Sequence, residues 1–106
     1  MAIKRIWHGW TTNNNADIYQ NILLTEVIPG IESKEIPGYT KIEVLRFGRE
    51  DETEFVTIMT FNELKNVIDF QGEDYTKCYV PEAAQKVLKR WDKESVHYEL
   101  IDTRKY

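Results

Sequence analysis

The sequence predicts an α+β domain in which an antiparallel sheet carries helices on one face. Two patterns support this. Large apolar and β-branched residues crowd short segments such as Glu54 to Phe61, and apolar residues recur at helical spacing over Ala16 to Ile28. The segments follow one another in the order strand, helix, strand, strand, helix, strand, which is the β-α-β-β-α-β order of a ferredoxin-like sandwich. With 106 residues the chain is long enough for one such domain, spanning residues 1–106.

The charge balance argues against nucleic-acid and membrane partners. The 14 basic and 18 acidic side chains give a net charge of −4, and neither sign forms a long block. Nucleic acid and anionic membranes prefer a basic patch, and no apolar stretch approaches the roughly 20 residues of a membrane span. The N-terminal residues also lack the apolar run of a secretory signal. We therefore expect a cytoplasmic protein.

The N-terminal third predicts a strand and then a helix. Residues Ile3 to Trp10 begin with β-forming residues in alternation, which is typical of a strand. Residues 11–15 are rich in side chains that cap helices, and the helical spacing of Ala16 to Ile28 follows directly. We expect Pro29 and Gly30 to disturb this helix.

The central segments predict an antiparallel hairpin with two buried faces. Tyr39 to Phe47 and Glu54 to Phe61 flank a charged turn. The second of these strands carries large apolar side chains on both of its faces, whereas an antiparallel sheet often leaves one face in water. A second copy of the chain is the simplest cover for the extra face. We therefore expect a homodimer in which two sheets close an α/β barrel with the helices outside.

The C-terminal part predicts a helix, a short helix and a last strand. Asn62 can cap the next helix, which Gly72 ends. Pro81 to Leu88 follows as a short helix with proline in its first turn. Ser95 to Ile101 then alternates as a strand.

Three motifs carry a resemblance to a known family. They are Ile-Pro-Gly-Tyr at residues 36–39, the strand Glu54 to Phe61 running into Asn62-Glu63-Leu64, and the closing His97-Tyr98-Glu99. In these motifs and in element order, the chain resembles the antibiotic biosynthesis monooxygenase-like domains of the dimeric α/β barrel superfamily.

The resemblance implies a homodimer and a protein that handles a small apolar or aromatic molecule. Family members known as enzymes include oxygenases that oxidise phenolic polyketides without metal or flavin, and haem-degrading oxygenases. Many other members have no assigned activity. Two hypotheses stay open: a cofactor-independent monooxygenase acting on an aromatic or polyketide-like compound, and a non-catalytic ligand-binding or interaction dimer of the same fold.

The sequence departs from the family pattern at two points. Phe61 stands where many relatives have Trp, so the indole N–H is missing. The haem-degrading branch uses a helical His as iron ligand, and neither Glu63 to Phe70 nor Pro81 to Leu88 contains one. These differences argue against haem degradation, and we expect no cofactor.

His8 and His97 are the candidate catalytic residues. They are the only histidines and fall on strands that are neighbours in a ferredoxin-like sheet. A neutral imidazole can remove a phenolic or carbon-bound proton, which a cofactor-free oxygenase needs before O₂ accepts an electron. The alternative is that each is a hydrogen-bonded structural residue or part of the dimer contact. Glu99 could act with the two histidines as a third ligand of a metal ion. No spacing motif supports this, and we expect no metal site.

Four aromatic residues are candidates for substrate binding. Trp10, Tyr75 and Tyr98 lie near the ends of elements and carry polar tips that can orient a substrate oxygen, and Phe61 occupies the family's Trp position. The alternative is that they belong to the core or an interface. The lone Cys78 matches no metal or redox motif, and we expect a buried, inert thiol.

Overall fold

The structure is a computed structural model that describes residues 1–106. Its centre is an antiparallel sheet in the order β2-β3-β1-β4, with β5 also paired to β1. The strands are β1 (Ile3–Thr11), β2 (Tyr39–Gly48), β3 (Thr53–Phe61), β4 (Arg90–Trp91) and β5 (Val96–Glu99). Strands β4 and β5 share one edge of β1. The last strand of the ferredoxin-like order is thus split in two, and its first piece was not predicted from the sequence.

The helices lie on one face of this sheet. They are α1 (Ala16–Ile22), α2 (Ile28–Glu32), α3 (Leu64–Gln71) and α4 (Glu82–Gln85), with a π-helical turn, Leu23–Val27, joining α1 to α2. The α+β class and the ferredoxin-like antiparallel arrangement are therefore confirmed. None of the helices is long and apolar enough to cross a membrane.

The first helix is longer than the sequence predicted. The expected helix over Ala16 to Ile28 passes through Pro29 and continues to Glu32. Within an α-helix, the ring of Pro29 would press against the carbonyl group of Thr25, and its missing N–H would leave that carbonyl unbonded. The π turn ends two residues before Pro29 and changes the hydrogen-bond spacing in this part of the helix, so that the chain stays helical.

Helix α3 begins one residue later than expected. Glu63, not Asn62, is the N-cap, and it forms a capping box with Asn66 in which the Glu63 N–H donates to Asn66 Oδ1 at 2.9 Å. The Asn62 N–H instead donates to the Gly38 carbonyl oxygen at 2.9 Å. Gly72, with a φ of 91°, ends the helix as predicted.

The two faces of the sheet have different surroundings. Every second residue of β3 from Thr53 to Phe61 is buried under the helices, while the residues between them are partly exposed. The strand register places residues of β1, β2 and β5 beside these partly exposed residues of β3, on the same face of the sheet. We call this surface the open face; its larger apolar and aromatic side chains are Ile6, His8, Trp10, Leu45, Phe47, Val56, Ile58, Val96 and Tyr98. Charged side chains such as Lys4, Glu43 and Glu54 share this face, and its apolar residues Leu45, Phe47, Val96 and Tyr98 are each half-exposed in the single chain.

Two apolar clusters fill the space between sheet and helices. In the first, Tyr19 of α1 meets Phe55 of β3 edge to face, with ring centres 4.9 Å apart. In the second, Phe61 packs against Tyr39 and Phe70, with ring centres 5.3 and 6.0 Å away. Both Phe55 and Phe61 are fully buried. The third strand therefore anchors both halves of the core.

Replacing the central side chain of the first cluster should sharply destabilise the fold. We expect Phe55→Ala to lower the free energy of unfolding by about 3–5 kcal/mol, because it removes a buried ring and leaves a cavity. Urea denaturation followed by circular dichroism measures the change. The control is Ile18→Ala in α1, whose side chain is 51% exposed and should cost less than about 1 kcal/mol. Equal losses for the two variants would contradict the assignment of Phe55 to the core.

Candidate functional site

A cavity of about 270 Å³ lies between the sheet and the first helix. Of its 21 lining residues 13 are hydrophobic, so its walls favour an apolar occupant. Its volume is close to the lower end of the roughly 300–1,000 Å³ typical of small-molecule pockets. The cavity is the candidate functional site.

The π turn supplies much of the helical wall. A π turn holds an extra residue, which shifts the side chains that follow it around the helix axis. Three of its five residues, Leu23, Glu26 and Val27, line the cavity, and Ile28 follows them. Such turns are frequent at functional sites in other proteins. Here the turn sets which side chains of the first helix face the sheet across the cavity.

One corner of the cavity is polar and contains Arg5, Cys78 and Ser95. The Cys78 Sγ atom lies 2.8 Å from Ser95 Oγ. Cys78 is only half-buried and lines the cavity, so it is not the fully buried thiol that we expected. Burial is the main cause that raises the pKa of this thiol. It therefore stays protonated at pH 7.

Arg5 is held in place by acceptors from the C-terminal part of the chain. Arg5 is buried, with 5% of its surface exposed. The guanidinium donates to the carbonyl oxygens of Tyr75 and Lys77, the latter at 3.1 Å, and to His97 Nε2 at 3.0 Å. These contacts tie the loop after α3 to the first strand.

His97 lies behind Arg5 and does not line the cavity. Burial, and then the charge of Arg5, lower the pKa of His97 to about 4. Because a guanidinium can only donate, Nε2 must be the acceptor and the proton of the neutral ring is on Nδ1. The edge of the Tyr75 ring also packs on this imidazole, with ring centres 5.1 Å apart. His97 is thus a neutral acceptor that orients Arg5.

His8 lies on the open face, on the other side of the sheet. Its Nδ1 is 2.8 Å from Asp92 Oδ2, the same oxygen that accepts from the His8 backbone N–H at 3.0 Å. The ring stacks on Trp10 with centres 5.9 Å apart. The two histidines are on paired strands, as predicted, but β5 places His97 opposite Arg5, whose side chain points the other way from that of His8. They do not share a site, and no three His, Cys, Asp or Glu side chains come together around a possible metal position.

None of the predicted substrate-binding residues lines the cavity. Trp10 and Tyr98 lie on the open face with His8, Phe61 is enclosed in the core, and Tyr75 packs on His97. The reason is the two-residue alternation of a strand, which sends Trp10 and Tyr98 away from the helices. The roles of these aromatic residues and of the two histidines stay predictions. Because Trp10, Tyr98 and His8 lie on the open face, a molecule that they contact would have to bind there.

Sequence reasoning missed Arg5 as a site residue. Arg5 lies between Ile3 and Trp7 on one face of the first predicted strand, so a charge occupies a position that the alternation assigns to the buried side. A charged residue at an inward position is rare unless it has a partner. The charge at this inward position is the feature of the sequence that could have identified Arg5 as a site residue.

Comparison with known proteins identifies the fold. No family model matches the chain, and no curated protein matches it in sequence. Among solved structures, a proposed antibiotic biosynthesis monooxygenase from Bacillus cereus has a TM-score of 0.69 at 11% identity, with 99% of this chain and 98% of that chain covered.

Two further structures show the same likeness. SnoaB from Streptomyces nogalater, described as a cofactor-independent oxygenase, has a TM-score of 0.61 at 10% identity, with 96% of this chain and 95% of that chain covered. A proposed antibiotic biosynthesis monooxygenase from Nitrosomonas europaea has a TM-score of 0.61 at 12% identity, covering 92% and 88%. At this identity the likeness shows a shared fold. The fold implied by the sequence resemblance is therefore confirmed.

The buried setting of His97 should appear as a pH dependence of stability. Between pH about 6.5 and about 4 the unfolded chain binds a proton at this position and the folded chain does not. The free energy of unfolding should therefore fall as the pH drops through this window, and His97→Gln should reduce that slope. Urea denaturation at several pH values measures it.

The titration itself can be followed by NMR. In a His8→Gln variant the one remaining imidazole signal belongs to His97, and it should titrate near pH 4 in the folded protein. A midpoint near the unperturbed value of about 6.5 would contradict the burial of His97 beside Arg5.

Proposed function

We propose that this chain binds a small, largely apolar aromatic or polyketide-like compound in the cavity between sheet and helices and oxidises it with O₂, without metal or flavin. The apolar cavity with one polar corner is the observation that carries this proposal. The fold supports it, because SnoaB, described as a cofactor-independent oxygenase, shares that fold.

The chemistry of such an oxidation begins with loss of a proton from the substrate. A phenol or an activated carbon must become an anion before it can transfer an electron to O₂, and a nearby base or a positive charge favours that anion. On the cavity side, Arg5 supplies the charge, and neutral His97 lies directly behind it. A role for His97 as base requires its Nε2 to leave Arg5 and turn toward the ligand.

Non-catalytic binding of a similar compound is the second candidate function. It is favoured by the position of the two histidines, since neither lines the cavity. The substrate-binding aromatic residues expected from the sequence also lie elsewhere. Such a protein would hold the compound in the same cavity without turnover.

Ligand binding and oxygen uptake, measured together, separate the two functions. We expect anthrones or hydroquinones to bind and to be consumed with uptake of O₂. Val27→Phe should weaken binding about tenfold or more, because the added ring fills the cavity. Leu24→Phe, on the same π turn but 49% exposed, should leave binding unchanged. His97→Ala and His8→Ala test the two candidate bases.

Each outcome has a distinct meaning. Binding with O₂ uptake that Val27→Phe abolishes supports the oxygenase. Binding that Val27→Phe weakens, without uptake of O₂ on any compound of the panel, supports the non-catalytic function. Absence of binding across the panel would contradict both.

We infer that two copies of the chain pair through their open faces. Half-exposed Leu45, Phe47, Val96 and Tyr98 lie on the same face as Val56 and Ile58, the partly exposed apolar residues of β3. Large contiguous apolar surfaces on a folded chain mark interaction sites. Pairing two such faces would cover them and close a barrel with the helices outside.

Sedimentation velocity tests this pairing. We expect the wild-type chain to sediment as a dimer at micromolar concentration and Leu45→Glu to sediment as a monomer, because each interface would bury an unpaired charge. The control is Leu64→Glu, on helix α3 away from the open face and 37% exposed, which should remain a dimer. A monomeric wild-type chain would overturn the inference.

A further inference from the structure

Arg5 is a buried cation without an anionic partner. Its residue is 5% exposed, and it forms no ion pair with any Asp or Glu. Its hydrogen-bond partners are two carbonyl oxygens and a neutral imidazole. A guanidinium stays charged in proteins, and a buried charge is unfavourable unless it is paired. No carboxylate of the chain therefore neutralises its charge.

The other ionisable groups of the cavity do not supply the missing charge. Glu26 is the only carboxylate in the lining, and it is exposed and forms no ion pair with Arg5. Lys34 adds a second positive charge at the cavity, with Nζ 5.0 Å from the centre of the Phe70 ring. The Cys78 thiol is held in its neutral form by burial. Glu26 and Lys34 are both exposed and opposite in charge, so Arg5 is the one buried charge in the cavity lining.

The guanidinium also keeps hydrogen-bonding capacity. It has five N–H groups, and its contacts with Tyr75, Lys77 and His97 use three. Arg5 itself lines the cavity, and its Cζ lies 5.7 Å from the centre of the Phe70 ring, which lines it too. The Phe70 ring therefore borders the corner of the cavity that contains Arg5. Planar oxyanions are the ligands that a guanidinium binds best.

We propose that the cavity is a site for a monoanionic ligand with an apolar, planar body, whose oxyanion, a carboxylate or a phenolate, binds to Arg5. This specifies the ligand class of the cavity and rests on the proposed function, in which the cavity binds a small apolar compound. His97, Tyr75 and Lys77 act as positioning residues, because they hold the guanidinium at the cavity wall. The remaining walls contact the apolar body.

A pair of probes that differ only in charge tests the proposal. Calorimetry with 2-naphthoate and its neutral amide, 2-naphthamide, compares the same ring system with and without the anion. We expect the wild-type protein to bind 2-naphthoate about tenfold more tightly or better. Arg5→Met should abolish this preference, and Arg5→Lys should retain part of it, since Lys keeps the charge but not the planar fork.

Arg46→Met is the matched control. Arg46 is an exposed guanidinium in an ion pair with Asp17 at 2.8 Å, and it does not line the cavity. This variant should keep the full preference for 2-naphthoate. Because Arg5→Met also removes the donor from the carbonyl oxygens of Tyr75 and Lys77, it can fail to fold; the wild-type comparison of the two probes and Arg5→Lys then decide the result.

A phenolic probe separates the two sources of the oxyanion. Free 4-nitrophenol is yellow only as the phenolate, so binding beside Arg5 should increase the yellow absorbance at a fixed pH, and Arg5→Lys should reduce the increase. A preference for 2-naphthoate supports a carboxylate, and a gain in absorbance supports a phenolate. If the wild-type protein binds naphthamide as tightly as naphthoate and leaves nitrophenol uncoloured, the anion proposal is overturned while the proposed function stands. If the protein binds anthrones or hydroquinones but none of these probes, the anion proposal alone is overturned; if it binds neither set of compounds, both proposals are overturned.

Discussion

The pairing of β1 with β3 is the constraint on which the rest of the structure depends. Nine residue pairs, from Ile3 with Phe61 to Thr11 with Thr53, fix the register of the two central strands. Because side chains alternate, this register places Arg5 and the aromatic core under the helices and sends His8 to the open face. A slip of one residue would exchange the two sets. The cavity and the apolar surface opposite it are therefore determined by the same set of backbone hydrogen bonds.

The order of the elements could be predicted from the sequence, because apolar periodicity reports local structure directly. The site could not. Alternation along Val96–Glu99 separates His97 from Tyr98, but it does not say which residue faces the helices, and here the apolar residues face the open side. Strand β4 has only two residues, too few to show a period. The π turn depends on how the chain accommodates Pro29, which no periodicity reveals.

The polar corner shows how a buried charge is held without an ion pair. Backbone carbonyl oxygens of the loop after α3 accept hydrogen bonds from Arg5. The same loop pairs with the segment before β5 through an isolated antiparallel β-bridge between the backbones of Lys77 and Glu94. Arg5 and this loop therefore hold each other in position. Removing either is expected to disturb both, so the corner acts as one unit in the packing of the domain.

The π turn has a consequence for how this chain is compared with others. Its extra residue means that positions after Val27 are rotated by about 100° relative to a continuous α-helix of the same length. A gap-free alignment with a relative whose helix is regular would equate cavity-lining residues with residues on another side of that helix. Correct equivalences require a one-residue insertion within 23–27. Length differences at this helix then carry information about the shape of the ligand space, which residue identity alone does not convey.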